Sequence, residues 1–272
     1  MLIIKVVGGL GNQLFAYALY CYLRGFGKNV KLDLSFYRSQ NTDYADERQY
    51  CLEDYFHIHA KYTSKFEDVL LRGFSRLGWT QYVTYVDKGK DHEIEVKDLN
   101  WRILEGYWST FLFANIQREK IVESLGLKTK YKNDATLAEI ENCNSVCVHI
   151  RRGDFVRLGF SLDLAYYRTA IQYMKNAVER PVFYCFSDDI EYCKEQFGEE
   201  FKYMDGHSDL YDLCAMSRCK HNIVANSTFS TWAAWLNQNE DKIVIHPMKW
   251  HGKWSTETDA RLWSEEWISI DE

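Results

Sequence analysis

The chain has 272 residues, 46% of them hydrophobic, with only 2 prolines and 15 glycines. That is enough for two ordinary domains and excludes long disordered linkers. A net charge of −6 excludes a polyanion-binding surface by composition, so nucleic acid is not an expected partner. No apolar run approaches the ~20 residues of a membrane span, and no charged n-region leads an apolar one. A cytoplasmic protein without signal peptide is therefore expected. The 8 cysteines lack zinc-type pairing and sit in apolar segments, so they read as reduced, buried thiols and not as a disulfide framework or metal site. Aromatics reach 16%, which suits a sugar-binding cleft and an aromatic core equally.

In chain order, Leu2 to Val7 is a strand and Gly8-Gly9-Leu10-Gly11 a turn. Asn12 to Arg24 has helical spacing, and Asn29 to Leu34 is a second strand. This is a βαβ opening, which favours a parallel sheet. Residues 40–135 show mixed short elements and a strand-like patch at Tyr82 to Val86. A second series begins near Ser145, with strands at Ser145 to Arg151, Val182 to Phe186, Asn222 to Ala225 and, last, Lys242 to Ile245. Helices are expected at Leu164 to Val178, Ile190 to Phe197, Leu210 to Met216 and Ser230 to Leu236. Two αβ halves follow, 1–135 and 136–272, each Rossmann-like.

Three segments carry chemistry. The glycine turn joins strand to helix, where glycine brings backbone N–H groups close to a phosphate. Two rival readings stand beside it. A purely structural turn is one. The other is a dinucleotide fingerprint, with Gly9 and Gly11 in the first two positions of G-x-G-x-x-G and Asp33 as the ribose acid. Against that, Leu14 fills the third glycine position, and Asn12-Gln13 place amides where a pyrophosphate loop has none.

His149-Ile150-Arg151-Arg152-Gly153-Asp154 ends a strand. Alternation puts His149 and Arg151 on one face and Ile150 in the core. The arginine fork suits a diphosphate, the alternative being an Arg–Asp bridge closing a loop. Asn226-Ser227-Thr228-Phe229-Ser230 leads into a helix, whose hydroxyls and N–H groups either form an anion site or merely cap. Asp188-Asp189 closes a strand, with capping or recognition of a guanine edge as its two roles. The C-terminal Trp250, Trp254, Trp263 and Trp267 read as packing, and His207, His246 and His251 as structural.

Together these segments resemble the bacterial-type α1,2-fucosyltransferases, the inverting family that uses GDP-β-L-fucose. The resemblance rests on Gly-Gly-Leu-Gly-Asn-Gln-Leu-Phe at 8–15, His-x-Arg-Arg-x-Asp at 149–154, Ser-Asp-Asp at 187–189, and Asp-x-x-x-Met-Ser-x-Cys-Lys with Asn-Ser-Thr-Phe-Ser over 212–230. Two departures stand out. Thr231 precedes Trp232 where family members often carry two tryptophans. Gly106-Tyr107-Trp108 begins an aromatic family segment that Ser109-Thr110-Phe111 does not continue.

The resemblance implies an α/β GT-B fold, two Rossmann-like domains facing across a cleft, with GDP-fucose held by the C-terminal one. It implies Arg151 on the β-phosphate with His149 beside it, and Ser227, Thr228 and Phe229 wrapping the diphosphate. Asp212 would read the guanine edge, and Asn12 would approach the donor. Gly9, Gly11, Gln13, Arg152, Asp188, Asn226 and Ser230 complete the expected donor set. Arg151 would stabilise charge on the leaving GDP without a metal, and Asp154 is either the base or the residue that orients Arg151. No cofactor is expected. The implied acceptor is an oligosaccharide or polysaccharide with a terminal galactose, and a lipid-carried one would bring the protein to the membrane surface. Two other classes stay open: an NAD(P)-dependent oxidoreductase and a non-catalytic sugar-nucleotide-binding module.

Overall fold

The structure is a computed structural model that describes residues 1–38, 48–76, 84–87, 99–250 and 261–271. It divides into two compact units, Met1–Gly126 and Leu127–Glu272. The division falls before the 135/136 position read from sequence. Leu127 is buried, and Arg218 donates to the carbonyls of Leu127 (2.8 Å) and Lys130 (2.6 Å), which ties this segment to the second unit.

The first unit contains β1 (Leu2–Lys5), α1 (Leu10–Gly25), β2 (Val30–Asp33), α2 (Ser35–Arg38), α3 (Leu52–Tyr55) and α4 (Lys65–Arg76). β3 (Thr84–Val86), β4 (Arg102–Glu105), α5 (Phe111–Ile116) and α6 (Arg118–Leu125) follow. The sheet is parallel, in the order β2-β1-β4-β3. Helix α1 is buried nearly all round, because it packs on the sheet and also under α5, with Phe15 and Phe111 ring centroids 5.1 Å apart. Within the patch read as a strand at 82–86, residues 82 and 83 lie outside the described residues.

The second unit contains α7 (Ala135–Asn142), β5 (Ser145–Ile150), α8 (Gly153–Leu158), α9 (Leu164–Ala177), β6 (Val182–Ser187) and α10 (Ile190–Phe197). β7 (Phe201–Met204), α11 (Asp209–Arg218), β8 (His221–Ile223), α12 (Thr228–Leu236), β9 (Val244–Pro247) and β10 (Ile268–Ile270) complete it. The sheet is again parallel, ordered β10-β9-β8-β5-β6-β7. Two strands were not foreseen here. β7 and β10 are short edge strands, and with four and three residues they leave too little alternation to read. The strand read at 242–245 is therefore not the last.

All six residues of β5 are buried, as a central parallel strand covered on both faces requires. This corrects the two-face reading of His149, which is only 6% exposed. All eight cysteines are thiols, six of them buried. Among the described residues no helix is long and apolar enough to cross a membrane.

Candidate active site

In the second sheet the chain leaves β5 for β6 and β7 on one side, then returns to build β8, β9 and β10 on the other. Strand order therefore reverses between β5 and β8, and the loops leaving their carboxyl ends diverge to open a crevice. The residues that emerge there are Arg151 to Gly153 after β5 and Val224 to Ser227 after β8. The two sides touch: the His149 and Phe229 rings lie 5.9 Å apart.

Arg151 is held by two carboxylates. Its Nη2 pairs with Asp154 Oδ1, and its Nη1 lies 2.5 Å from Asp188 Oδ2. The other Asp188 oxygen accepts the Arg152 N–H at 2.8 Å. Gly153 is required beside them, since an added Cβ would stand 2.5 Å from Asp188 Oδ2. Asp188 is thus committed to Arg151, which corrects its expected place on the nucleotide base. Asp189 is the capping residue of the pair, accepting the Tyr192 N–H at 3.2 Å at the start of α10. It also binds Arg152 Nε at 2.9 Å, while the Arg152 guanidinium lies 3.3 Å from the centre of the Tyr192 ring. Arg152 therefore packs onto α10 through its Nε and the face of its guanidinium.

Helix α12 starts without a side-chain cap. Ser227 occupies the N-cap position, but its side chain makes no capping bond. The first-turn N–H groups of Thr228, Phe229 and Ser230 have no intrahelical acceptor, and the helix end carries about half a positive charge. The Ser227 carbonyl instead accepts from the Thr231 hydroxyl at 2.8 Å and the Ser230 hydroxyl at 3.2 Å. Ser230 is fully buried, so its expected contact reduces to its backbone N–H. Asn226 clamps the loop through its amide nitrogen, while its Oδ1 is buried without a hydrogen-bond partner. Its Nδ2 donates to Phe160 O (2.8 Å) and Trp250 O (2.7 Å), holding the loop against two other segments.

Burial, reinforced by the Arg151 charge, pushes the His149 imidazole down to about 3. Its Nδ1 is buried with no hydrogen-bond partner. His149 is therefore a neutral ring at the edge of the crevice. Asp212 lies in the first turn of α11, which begins beyond the carboxyl end of β7 and packs along α12. Burial first, then Asp209, pushes its carboxyl up to about 7. Its Oδ1 has no hydrogen bond, and His207 Nδ1, stacked with its ring 4.3 Å from Tyr211, stands 3.9 Å away.

The glycine turn belongs to the first unit. Gly9 is the N-cap of α1 and again makes no side-chain cap. Gly8 has φ +80°, and an added Cβ there would collide with the Asn12 amide. Gly11 is buried within α1. Gln13 is fully buried and spends its amide on Gly8 O (3.3 Å), Gln49 O (2.8 Å) and Cys51 N (3.1 Å). Its expected donor contact is therefore replaced by a structural one. Asp33 closes a local turn, accepting the Ser35 N–H at 2.8 Å and its hydroxyl at 2.9 Å. The dinucleotide reading thus loses its ribose acid.

The glycosyl transferase family 11 profile matches residues 101–271. The chain belongs to this family. It is 30% identical to the α-1,2-colitosyltransferase of Escherichia coli over 92% of this chain and 92% of that protein. The O-antigen biosynthesis glycosyltransferase WbnK, also of Escherichia coli, is 29% identical over 97% of this chain and 98% of its own. Human galactoside α-(1,2)-fucosyltransferase 1 is 34% identical over 34% of this chain and 28% of that one. Among solved structures, the fucosyltransferase NodZ from Bradyrhizobium superposes with a TM-score of 0.54 at 14% identity, covering 86% of this chain and 92% of that one. The family 11 chain is thus a glycosyltransferase with the α/β GT-B fold.

Several residues that brace this crevice gave no signal in the sequence. Tyr166, fully buried on α9, donates to Val224 O at 2.7 Å and fixes the loop after β8. Asn237 donates to Cys219 O at 2.7 Å and Asn222 Oδ1 at 2.8 Å behind the same strand. Trp263 stacks on His246 at 4.5 Å and lies 5.1 Å from Trp250, as packing. Trp254 and His251 lie outside the described residues. Among those described, no group of three or more His, Cys, Asp or Glu is gathered to hold a metal.

His149 has a pH consequence. Its folded value lies below its unfolded one, so the unfolded chain binds more protons between about 3 and 6.5. The stability it contributes is present above that window and lost as pH falls through it. Its imidazole resonances are expected to keep neutral-form shifts down to about pH 4 in an NMR titration; a midpoint near 6.5 would contradict the buried neutral ring.

Proposed function

We propose that this enzyme transfers L-fucose from GDP-β-L-fucose to the 2-hydroxyl of a terminal β-galactoside, inverting the anomeric carbon. The observation that carries the reading is the placing of Arg151, after β5, and the uncapped start of α12, after β8, on the two sides of one strand reversal, where the His149 and Phe229 rings lie 5.9 Å apart. The relatives support the sugar and linkage, through a human galactoside α-(1,2)-fucosyltransferase and a bacterial α-1,2-colitosyltransferase. A second reading, favoured by the length over which the latter matches, keeps the linkage and transfers colitose instead.

In the reaction the acceptor oxygen bonds to the anomeric carbon as the bond to the β-phosphate oxygen breaks. The acceptor proton leaves to a base, and negative charge grows on GDP. Two guanidiniums face three carboxylates around the site, so attraction for GDP comes from aimed donors and not from net charge. Such donors are strongest where they are already oriented. Arg151 and the N–H groups of Thr228 to Ser230 supply them without a metal. His149, being neutral, contributes an imidazole nitrogen without further charge. Asp154 acts through Arg151 as a positioning residue, since its oxygen is bound to that guanidinium. Asp212 accepts from the guanine N–H edge in its ionised form.

The primary test is calorimetric titration of GDP in EDTA, with NAD as control. GDP is expected to bind, and Arg151→Ala to lose that binding together with at least ~10²-fold of kcat. Binding of NAD alone, or of GDP only after Mn²⁺ is added, would sink the reading. Asp154→Asn, whose amide oxygen can still accept from Arg151, is expected to keep kcat within about threefold while Asp154→Ala loses tenfold or more. Equal, large losses in both would make Asp154 the base. Asp212 has its folded value raised, so its contribution to stability is lost as pH rises through about 7. Ionisation over that range creates the acceptor guanine needs, so GDP affinity is expected to rise between pH 6 and 8. The rise should be absent in Asp212→Asn; a profile shared by both proteins would refute the assignment.

A further inference from the structure

In the first sheet, ordered β2-β1-β4-β3, β1 and β4 are parallel neighbours, so the segments that leave their carboxyl ends share one edge of the sheet. One side is the Gly8-Gly9 turn. The other is the loop after β4, beginning Gly106-Tyr107-Trp108. Resting on the proposed reaction, we infer that Tyr107 is the platform on which a pyranose ring of the acceptor stacks.

Tyr107 is 59% exposed, while Trp108 beside it is 1% exposed. The backbone is bent to separate them. Gly106 has φ +139° and Trp108 φ +51°, a conformation that costs a bulky residue about 1–2 kcal/mol. At Gly106 an added Cβ would lie 2.5 Å from the Asp87 Cβ. Trp108 is anchored on the inside. Its backbone N–H donates to Asp87 Oδ2 at 3.2 Å, and its ring stacks on Tyr85 with centroids 6.2 Å apart and planes 16° from parallel. Strain of this kind persists where the surroundings over-determine it, and here it holds one phenol ring out of the core.

Exposure alone does not single out Tyr107. Trp101 is more exposed, at 71%, but precedes β4 at the opposite, amino edge of the sheet. Tyr107 stands on the ligand edge among polar groups. The Lys5–Glu105 ion pair spans the ends of β1 and β4 at 3.0 Å, with both side chains 38% exposed. On the β1 side of this edge, the Arg48 guanidinium lies 3.3 Å from where a Cβ at Gly9 would stand. An exposed aromatic face on a sheet edge that also carries charged donors and acceptors matches a sugar, which offers an apolar C–H face and a rim of hydroxyls.

The test measures transfer from saturating GDP-fucose to methyl β-galactoside. Tyr107→Ala is expected to raise KM for the galactoside about tenfold with kcat within about threefold, and Tyr107→Phe, which keeps the ring, to match wild type. GDP affinity, read by calorimetry, is expected to stay within about twofold in both. An unchanged galactoside KM in Tyr107→Ala overturns the platform. Parallel loss of KM, kcat and GDP affinity also overturns it, because that marks a structural role. If the wild-type chain binds GDP yet transfers to no galactoside, the proposed acceptor fails and a glycan array decides the platform separately. Glycan binding by wild type that Tyr107→Ala loses supports it; equal binding, or none by wild type, overturns it.

Discussion

The central constraint on this molecule is that β5 is covered on both faces. On a parallel strand so placed, a polar group without an interior partner is costly. All six residues from Ser145 to Ile150 are buried, and chemistry starts only at Arg151, one residue beyond the last sheet bond. The same constraint explains His149. A histidine near the end of such a strand is desolvated, held neutral, and left touching the Phe229 ring across the crevice. Everything else at the site is arranged around the place where the sheet lets the chain out.

Arg151 illustrates how much of a charged site is structural. Its guanidinium is fixed by Asp154 and Asp188, Asp188 also anchors the next backbone N–H, and Gly153 leaves the space that this packing needs. The gain is orientation and the cost is net positive charge. An anion arriving here meets a helix start and a rigid fork rather than a broad positive field, a design that relies on low mobility and dry surroundings. The residues that provide this rigidity are unremarkable in themselves. Tyr166 and Asn226 tie the loop after β8 to the backbone of neighbouring segments.

Each unit gathers polar and aromatic groups at the carboxyl edge of a parallel sheet, with different chemistry. The second offers a guanidinium and an uncapped helix, groups suited to an anion. The first offers a strained aromatic loop and an ion pair beside a glycine turn, groups suited to hydroxyls and ring faces.

The sequence alone determined the αβ alternation, the carboxyl-edge motifs at 149–154 and 226–230, and the thiol state of the cysteines. These depend on local spacing, glycine and charge, which are read directly from neighbours in the chain. Strands β4, β7 and β10 escaped it, because three or four residues carry too little periodicity and owe their pairing to distant partners. Only the tertiary structure decided which polar residues are tied into the scaffold. Gln13, Arg152, Asp188, Asn226 and Ser230 look like ligand contacts by type and position. Their partners lie five to more than sixty residues away in several cases, at Gly8, Gln49, Arg151, Phe160 and Trp250. A hydrogen bond closed across the fold leaves no mark in the local pattern, and so the division between site and scaffold belonged to the packing.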